Sequence, residues 1–119
     1  MFSYSFEKLG AWQQARVLVT KIYQVTKSYP PEEKYGIVNQ MRRAAISVCS
    51  NLAEGSSRKT VKDQALFYNI SFSSLMELLN QLIISVDLGW LQKDSFLEVR
   101  TEIERIAYKI NALRNSRIA

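Results

Sequence analysis

Apolar residues recur three and four positions apart along four stretches of this chain, and proline, glycine or a capping residue closes each stretch. That period belongs to amphipathic helices rather than strands. The first predicted helix runs from about Phe6 to Ser28, with Leu9, Trp12, Val19 and Ile22 on its main face and Leu18, Val25 and Tyr29 beside it. Tyr29-Pro30-Pro31 ends it, because a residue before proline avoids helical geometry. Glu32 and Glu33 favour a new start through the helix dipole. The second helix continues to about Glu54, with Gly55 as its expected stop. Thr60-Val61-Lys62-Asp63 reads as a variant capping box, opening a third helix that ends at Gly89. Asp94 or Ser95 is expected to cap the fourth, where Phe96, Val99, Ile103, Ile106, Ile110 and Leu113 make a bundle seam. The expected fold is all-α: a single up-down-up-down four-helix bundle over residues 1–119, in which short loops make successive helices antiparallel neighbours.

The third helix changes the picture from monomer to oligomer. No Lys or Arg occurs between Lys62 and Lys93. Ala65, Tyr68, Phe72, Leu75, Leu79, Leu82 and Val86 make one seam, and Phe67, Ile70, Met76, Leu78, Ile83 and Ile84 leave little of the circumference polar. A helix apolar nearly all round is buried on more than one side. Self-association into a homo-oligomer is the first expectation, and a hydrophobic pocket for another protein is the second.

The second helix carries a different pattern. Gln40, Arg43, Ser47, Asn51 and Glu54 fall on one stripe, beside an apolar stripe of Ile37, Met41, Ala44, Val48 and Leu52. An ordinary solvated face is rich in Lys and Glu. This one mixes amides, a guanidinium, a hydroxyl and a carboxylate, which can bond to one another or to a ligand. It reads either as a structural network at a helix interface or as a binding surface. If the second and third helices lie side by side, Gln40 and Arg43 come level with Ser74 and Glu77. A buried Glu77 would need compensation by Arg43 or Arg42, and Asn51 and Glu54 are expected to bond the loop backbone between Gly55 and Thr60.

Composition removes most catalytic classes. At 47% hydrophobic, with four Gly and two Pro, the chain is compact rather than disordered. It contains no histidine and a single cysteine, Cys49. A general base of the commonest kind and a Cys/His zinc site are thereby excluded. No glycine-rich phosphate loop occurs, because Gly10, Gly36, Gly55 and Gly89 are isolated. Glu54 with Glu77 is the one carboxylate pair to ask about, and pairing with Arg, Ser or Asn is the simpler account. No cofactor, no metal and no enzymatic activity are expected. The start of the chain lacks a basic stretch followed by a long apolar run, and Ile70 to Trp90 contains Glu77, Asn80, Gln81 and Asp87. A cytoplasmic protein without a membrane span is the expectation.

The net charge of +5 is unevenly placed. In the expected topology one end of the bundle gathers Lys8, Arg58, Lys59, Lys62, Lys109, Arg114 and Arg117 against Glu7, Glu54 and Asp63. The other end holds Lys27, Lys34, Lys93 and Arg100 against six carboxylates, among them Glu32 and Glu33. Repeated around an oligomer, the basic end would suit a polyanion. Lys8, Arg58, Lys59, Lys62, Arg114 and Arg117 are the candidate nucleic-acid contacts, binding phosphates with little sequence preference. RNA and DNA remain equal alternatives. So does a plain solvated surface, with the protein acting instead as a protein-interaction module.

The central run of Gln40, Arg42-Arg43-Ala44-Ala45, Ser47, Asn51-Leu52-Ala53-Glu54-Gly55 and Arg58 resembles the four-helix-bundle proteins encoded within intervening sequences of bacterial 23S ribosomal RNA genes. Phe6, Leu9 and Trp12 are similar to that family's opening. Tyr29-Pro30, Glu33 and Gly36-Ile37 are similar to its second-helix approach, with Tyr29 where Phe is usual. Phe67, Ile70, Ser74, Glu77 and Leu78 resemble its third helix, and Leu88-Gly89-Trp90-Leu91 its last turn. The resemblance implies an up-down-up-down bundle assembling as a ring-like pentamer, with no established catalysis. Accessory proteins of diversity-generating retroelements, which bind nucleic acid through a basic pentameric barrel, are more distantly similar.

Overall fold

The computed structural model describes residues 1–116, and within them the protein is an all-α four-helix bundle with no strand. Helix α1 spans Gly10–Thr26, α2 Ile37–Ser57, α3 Val61–Asp87 and α4 Lys93–Asn115. Short 3-10 turns at Ser5–Lys8 and Pro31–Glu33 precede α1 and α2. The core is one cluster, centred on Ala15, Leu18 and Ile22 of α1, Met41, Ala45, Val48 and Leu52 of α2, Leu75, Leu78 and Leu82 of α3, and Ile103, Ile106 and Ile110 of α4. No described helix is long and apolar enough to cross a membrane.

The largest interface is between α2 and α3. Its contacts run in opposite order along the two helices: Gly55 meets Tyr68, Val48 meets Ser71, and Ser47 meets Ser74. The expected seam of α3 is rotated. Phe72, Leu79 and Val86 only flank the core, whereas Ser71 and Ser85 are fully buried with Tyr68, Leu75, Leu78 and Leu82. The reason is size and satisfied polarity. Ser71 Oγ donates to the Val48 carbonyl (2.8 Å), and Ser85 Oγ to the Gln81 carbonyl (2.8 Å). A serine with its hydroxyl bonded can be buried, and its small volume lets neighbouring helices approach.

Several helix ends differ from their sequence signals. Gly55 does not stop α2, which continues through it to Ser57. A Cβ at Gly55 would lie 2.7 Å from Tyr68 Cε1, so this glycine is a packing notch for the buried Tyr68 ring rather than a cap. The first helix is broken at Leu9, whose extended backbone turns the chain so that Phe6 packs edge-on against Trp12 at 5.0 Å. Gln13 Nε2 seals the break by donating to the Glu7 carbonyl (2.8 Å). Glu32 and Glu33 open only a 3-10 turn, and α2 proper starts after Gly36. Helix α4 begins at Lys93 with Gln92 at its N-cap, so the expected caps Asp94 and Ser95 lie inside its first turn.

Two signals are met. Thr60 Oγ1 accepts the Asp63 N–H (3.1 Å) at the start of α3, which is the N-cap half of the expected capping box. Gly89 adopts a positive φ of 77° at its end, where Gly89 N–H donates to the Val86 carbonyl and Trp90 N–H to the Ser85 carbonyl. This is the left-handed closure that glycine permits. Cys49 is half-buried beside Trp12, and that burial pushes its thiol up to about 11, partly opposed by Arg16.

Candidate functional site: a polar cleft and a basic end

The stripe on α2 divides into parts with different partners. Gln40, Arg43 and Ser47 meet Ser74 and Glu77 of α3 around an open cleft of about 290 Å³. At its floor the Ser47 and Ser74 hydroxyls are 2.8 Å apart. Asn51 Nδ2 donates back along its own helix to the Ser47 carbonyl (2.9 Å) and Ser47 Oγ (3.0 Å). Asn51 therefore orients the serine pair, and its hydrogen bonds go to α2 rather than to the following loop. Arg42 faces the other way. Its Nε donates to Thr26 Oγ1 (3.0 Å), one Nη to the Tyr23 carbonyl (3.3 Å), and its guanidinium lies 4.5 Å from the Tyr23 ring centroid.

Neither Arg42 nor Arg43 neutralises Glu77 within the chain. Glu77 and Arg43 are both exposed at the cleft rim, so water solvates each charge and no buried pair is required. Glu54 and Glu77 do not form a joint acid–base site. Glu77 is level with Arg43 and Ser47, so Glu54 lies roughly 15 Å further along the bundle at the helical rise. Among the described residues no group of three or more His, Cys, Asp or Glu could hold a metal ion.

The partly buried Asn51 and the exposed Glu54 predict unequal mutational effects. Asn51→Ala should lower stability by about 1 kcal/mol, because it removes hydrogen bonds in a partly buried network. Glu54→Ala should change it by less than about 0.5 kcal/mol, since its ion pair with Arg58 (3.1 Å) is solvent-exposed. Denaturant melts of the two variants check the ordering, and equal losses would contradict it.

The basic end is assembled from four parts of the chain. Ser5 Oγ and Ser56 Oγ, 2.7 Å apart, bring the N-terminal turn against the end of α2. Gln64 Nε2 donates to the Arg58 carbonyl (2.9 Å) and fastens the loop between α2 and α3. Lys109 of α4 lies against the first turn of α1, where a Cβ on Gly10 would come within 3.0 Å of its Nζ. Arg114 stacks over Phe72 at 4.0 Å and donates to Asn69 Oδ1 (3.3 Å) and to Asn111 Oδ1.

The six candidate contacts are thus not equivalent. Arg58 is paired with Glu54 and lies 4.5 Å from the Phe67 ring centroid. Arg114 is held by neutral amides and an aromatic face, so its charge is positioned without being cancelled. Lys8, Lys59 and Lys62 are exposed and form no ion pair among the described residues. Arg117 lies outside the described residues. Lys109 was visible in the sequence as charge, but its seat at the start of α1 depends on the α1–α4 packing and has no local signal.

Fold and surface together define a small helical-bundle protein with a polar interhelical cleft and a basic end. Residues 7–112 match the family model described as 23S rRNA-intervening sequence protein, and the chain belongs to that family. No curated protein matches the chain.

Proposed function

We propose that this protein is a non-catalytic scaffold that contacts nucleic-acid phosphates through the basic end of a homo-oligomeric, up-down-up-down bundle, a ring-like pentamer by family resemblance. Its setting on this reading is the cytoplasm. The observation that supports the proposal is that Lys8, Lys59 and Lys62 are exposed and form no ion pair among the described residues, while Arg114 is held by neutral side chains that leave its charge uncancelled. Cations without carboxylate partners can release counterions from a polyanion, whereas paired ones contribute much less. Fluorescence anisotropy with single-stranded RNA and duplex DNA over a salt series tests it. Binding that weakens steeply with salt supports the proposal. No binding at low salt overturns it and favours a protein-interaction module.

The self-association half rests on the outer face of α3. Leu66, Ile70, Ile84 and Leu88 are exposed there, interspersed with Ser73, Glu77 and Asn80 and with no cation until Lys93. Exposed isoleucines on a lysine-free face suit a packed interface better than a solvated one. Arg43 and Glu77 beside that face form no ion pair among the described residues and are available to pair between copies. Wild-type protein should sediment above monomer mass at micromolar concentration. Ile70→Glu and Ile84→Glu, at part-exposed positions that leave the core intact, should shift it toward monomer. A wild-type monomer would contradict this half.

A further inference from the structure

The end of the bundle opposite the basic one reads as acidic in sequence, yet one pocket there has a locally cationic lining. It is a cleft of about 330 Å³ at the turn between α1 and α2. Lys27 reaches it from the end of α1, Lys34 from the turn, and Arg42 from the second turn of α2. Among the described residues none that lines it is acidic, although Glu32 and Glu33 belong to the same turn. Glu33 is directed elsewhere, with its Oε1 against Gly36. None of the three cations forms an ion pair among the described residues.

Arg42 is already ordered. Thr26, buried and donating to the Ile22 carbonyl (2.7 Å), accepts from Arg42 Nε, and the Tyr23 carbonyl accepts from one Nη. The bond from Arg42 also covers the Tyr23 carbonyl in the last turn of α1, and the guanidinium charge offsets the negative end of that helix dipole, which would otherwise repel an anion. A helix-capping role for Arg42 explains those bonds. It does not explain why Lys27 and Lys34 border the same pocket without a carboxylate among its walls. Nη1 of Arg42 has no partner among the described residues, and a planar guanidinium held in place binds an oxyanion with little further ordering. Tyr29, Pro30, Pro31 and Val38 supply apolar and aromatic walls. The volume is at the small end of ligand sites and exceeds what a bare phosphate needs.

We propose that this pocket binds a small organic phosphate monoester, with Arg42, Lys27 and Lys34 around the phosphoryl group and the Tyr29-Pro30-Pro31 wall against its organic part. A doubly charged phosphate matches three cations better than a singly charged diester does. Such a group could come from a free mononucleotide or from the 5′-phosphorylated end of a nucleic acid.

Isothermal titration of the full chain at low salt with adenosine monophosphate, adenosine and inorganic phosphate tests the proposal. The monophosphate should bind, inorganic phosphate should bind more weakly, and adenosine should not bind. Lys27→Gln with Lys34→Gln, both exposed side chains, should weaken the monophosphate at least tenfold with an unchanged melting midpoint. Arg42→Lys should weaken it further, since a lysine cannot reproduce the fork. Neutralising Lys8, Lys59 and Lys62 at the other end should leave it intact, which separates this site from the basic end. Displacement of the monophosphate by a 5′-phosphorylated oligonucleotide, but not by its 5′-hydroxyl twin, would assign the phosphate to a chain end; absence of displacement would assign it to a free nucleotide. Equal binding of adenosine and its monophosphate, no binding of the monophosphate at millimolar concentration, or unchanged binding by the double lysine variant would overturn the proposal.

Discussion

Gly55→Ala is expected to destabilise the protein by about 1–3 kcal/mol, the usual range for forcing extra volume into a packed contact. In a protein of this size that is a fall of roughly 4–12 °C in melting midpoint. The sign is the informative part. At an unconstrained helical position the same change stabilises by about 0.5–1 kcal/mol, because alanine has less backbone entropy to lose. Here the added methyl would stand 2.7 Å from Tyr68 Cε1, 2.9 Å from Cδ1 and 3.2 Å from Phe67 Cβ. Tyr68 is 1% exposed, so its ring has no solvent side to move into. Either the ring tilts into the core or α2 and α3 separate along their largest interface. A double-mutant cycle with Tyr68→Leu isolates the clash. Tyr68→Leu alone should destabilise by leaving a cavity, but Gly55→Ala added to it should be much less harmful than in the wild type. A wild-type or raised midpoint for Gly55→Ala would show that the close approach is not under constraint.

That glycine also shows where a linear reading stops. The four helices were legible because apolar spacing is set by the helix itself, and Thr60 and Gly89 act through neighbours three to five residues away. Gly55 carries the same local signal as Gly89. What separates them is Tyr68 on another helix, which a sequence window cannot contain. The buried serines of α3 were missed for the same reason. Ser71 reads as polar until the Val48 carbonyl that satisfies it is known.

The candidate surfaces were legible to different degrees. Gln40 and Arg43 were placed level with Ser74 and Glu77 from topology alone, and with Ser47 they line one cleft. Adjacent Arg42 and Arg43 look interchangeable in sequence. They point to different neighbours because consecutive helical positions diverge by about 100°, sending Arg42 to α1 and Arg43 to α3. The cationic pocket was hidden by averaging. Summed over its end of the bundle, Lys27 and Lys34 are outweighed by carboxylates, but the turn directs Glu33 toward Gly36 and leaves the lysines beside Arg42.

Replacing Lys8, Lys59 and Lys62 together with Gln is expected to give the largest functional loss. A basic residue near a polyanionic surface contributes about 1 kcal/mol, so the triple change should weaken nucleic-acid binding about 100-fold at low salt. It should also flatten the salt dependence by about 2–3 units of slope, since every phosphate left without its lysine retains roughly 0.7–0.9 of a counterion. The loss should be similar for all sequences, because phosphate contacts carry no base information. Stability should hardly change, since the three side chains are exposed and form no ion pair among the described residues. The control is Lys93, Arg100 and Arg105 of α4 changed to Gln, which removes the same net charge away from that end. If both triple variants lose affinity equally, net charge alone drives association and no localised interface exists. If only the first does, the geometry of the end decides binding. Arg58→Gln then offers an internal check, because an arginine already paired with Glu54 should matter less than Lys8, Lys59 or Lys62, which have no ion pair among the described residues.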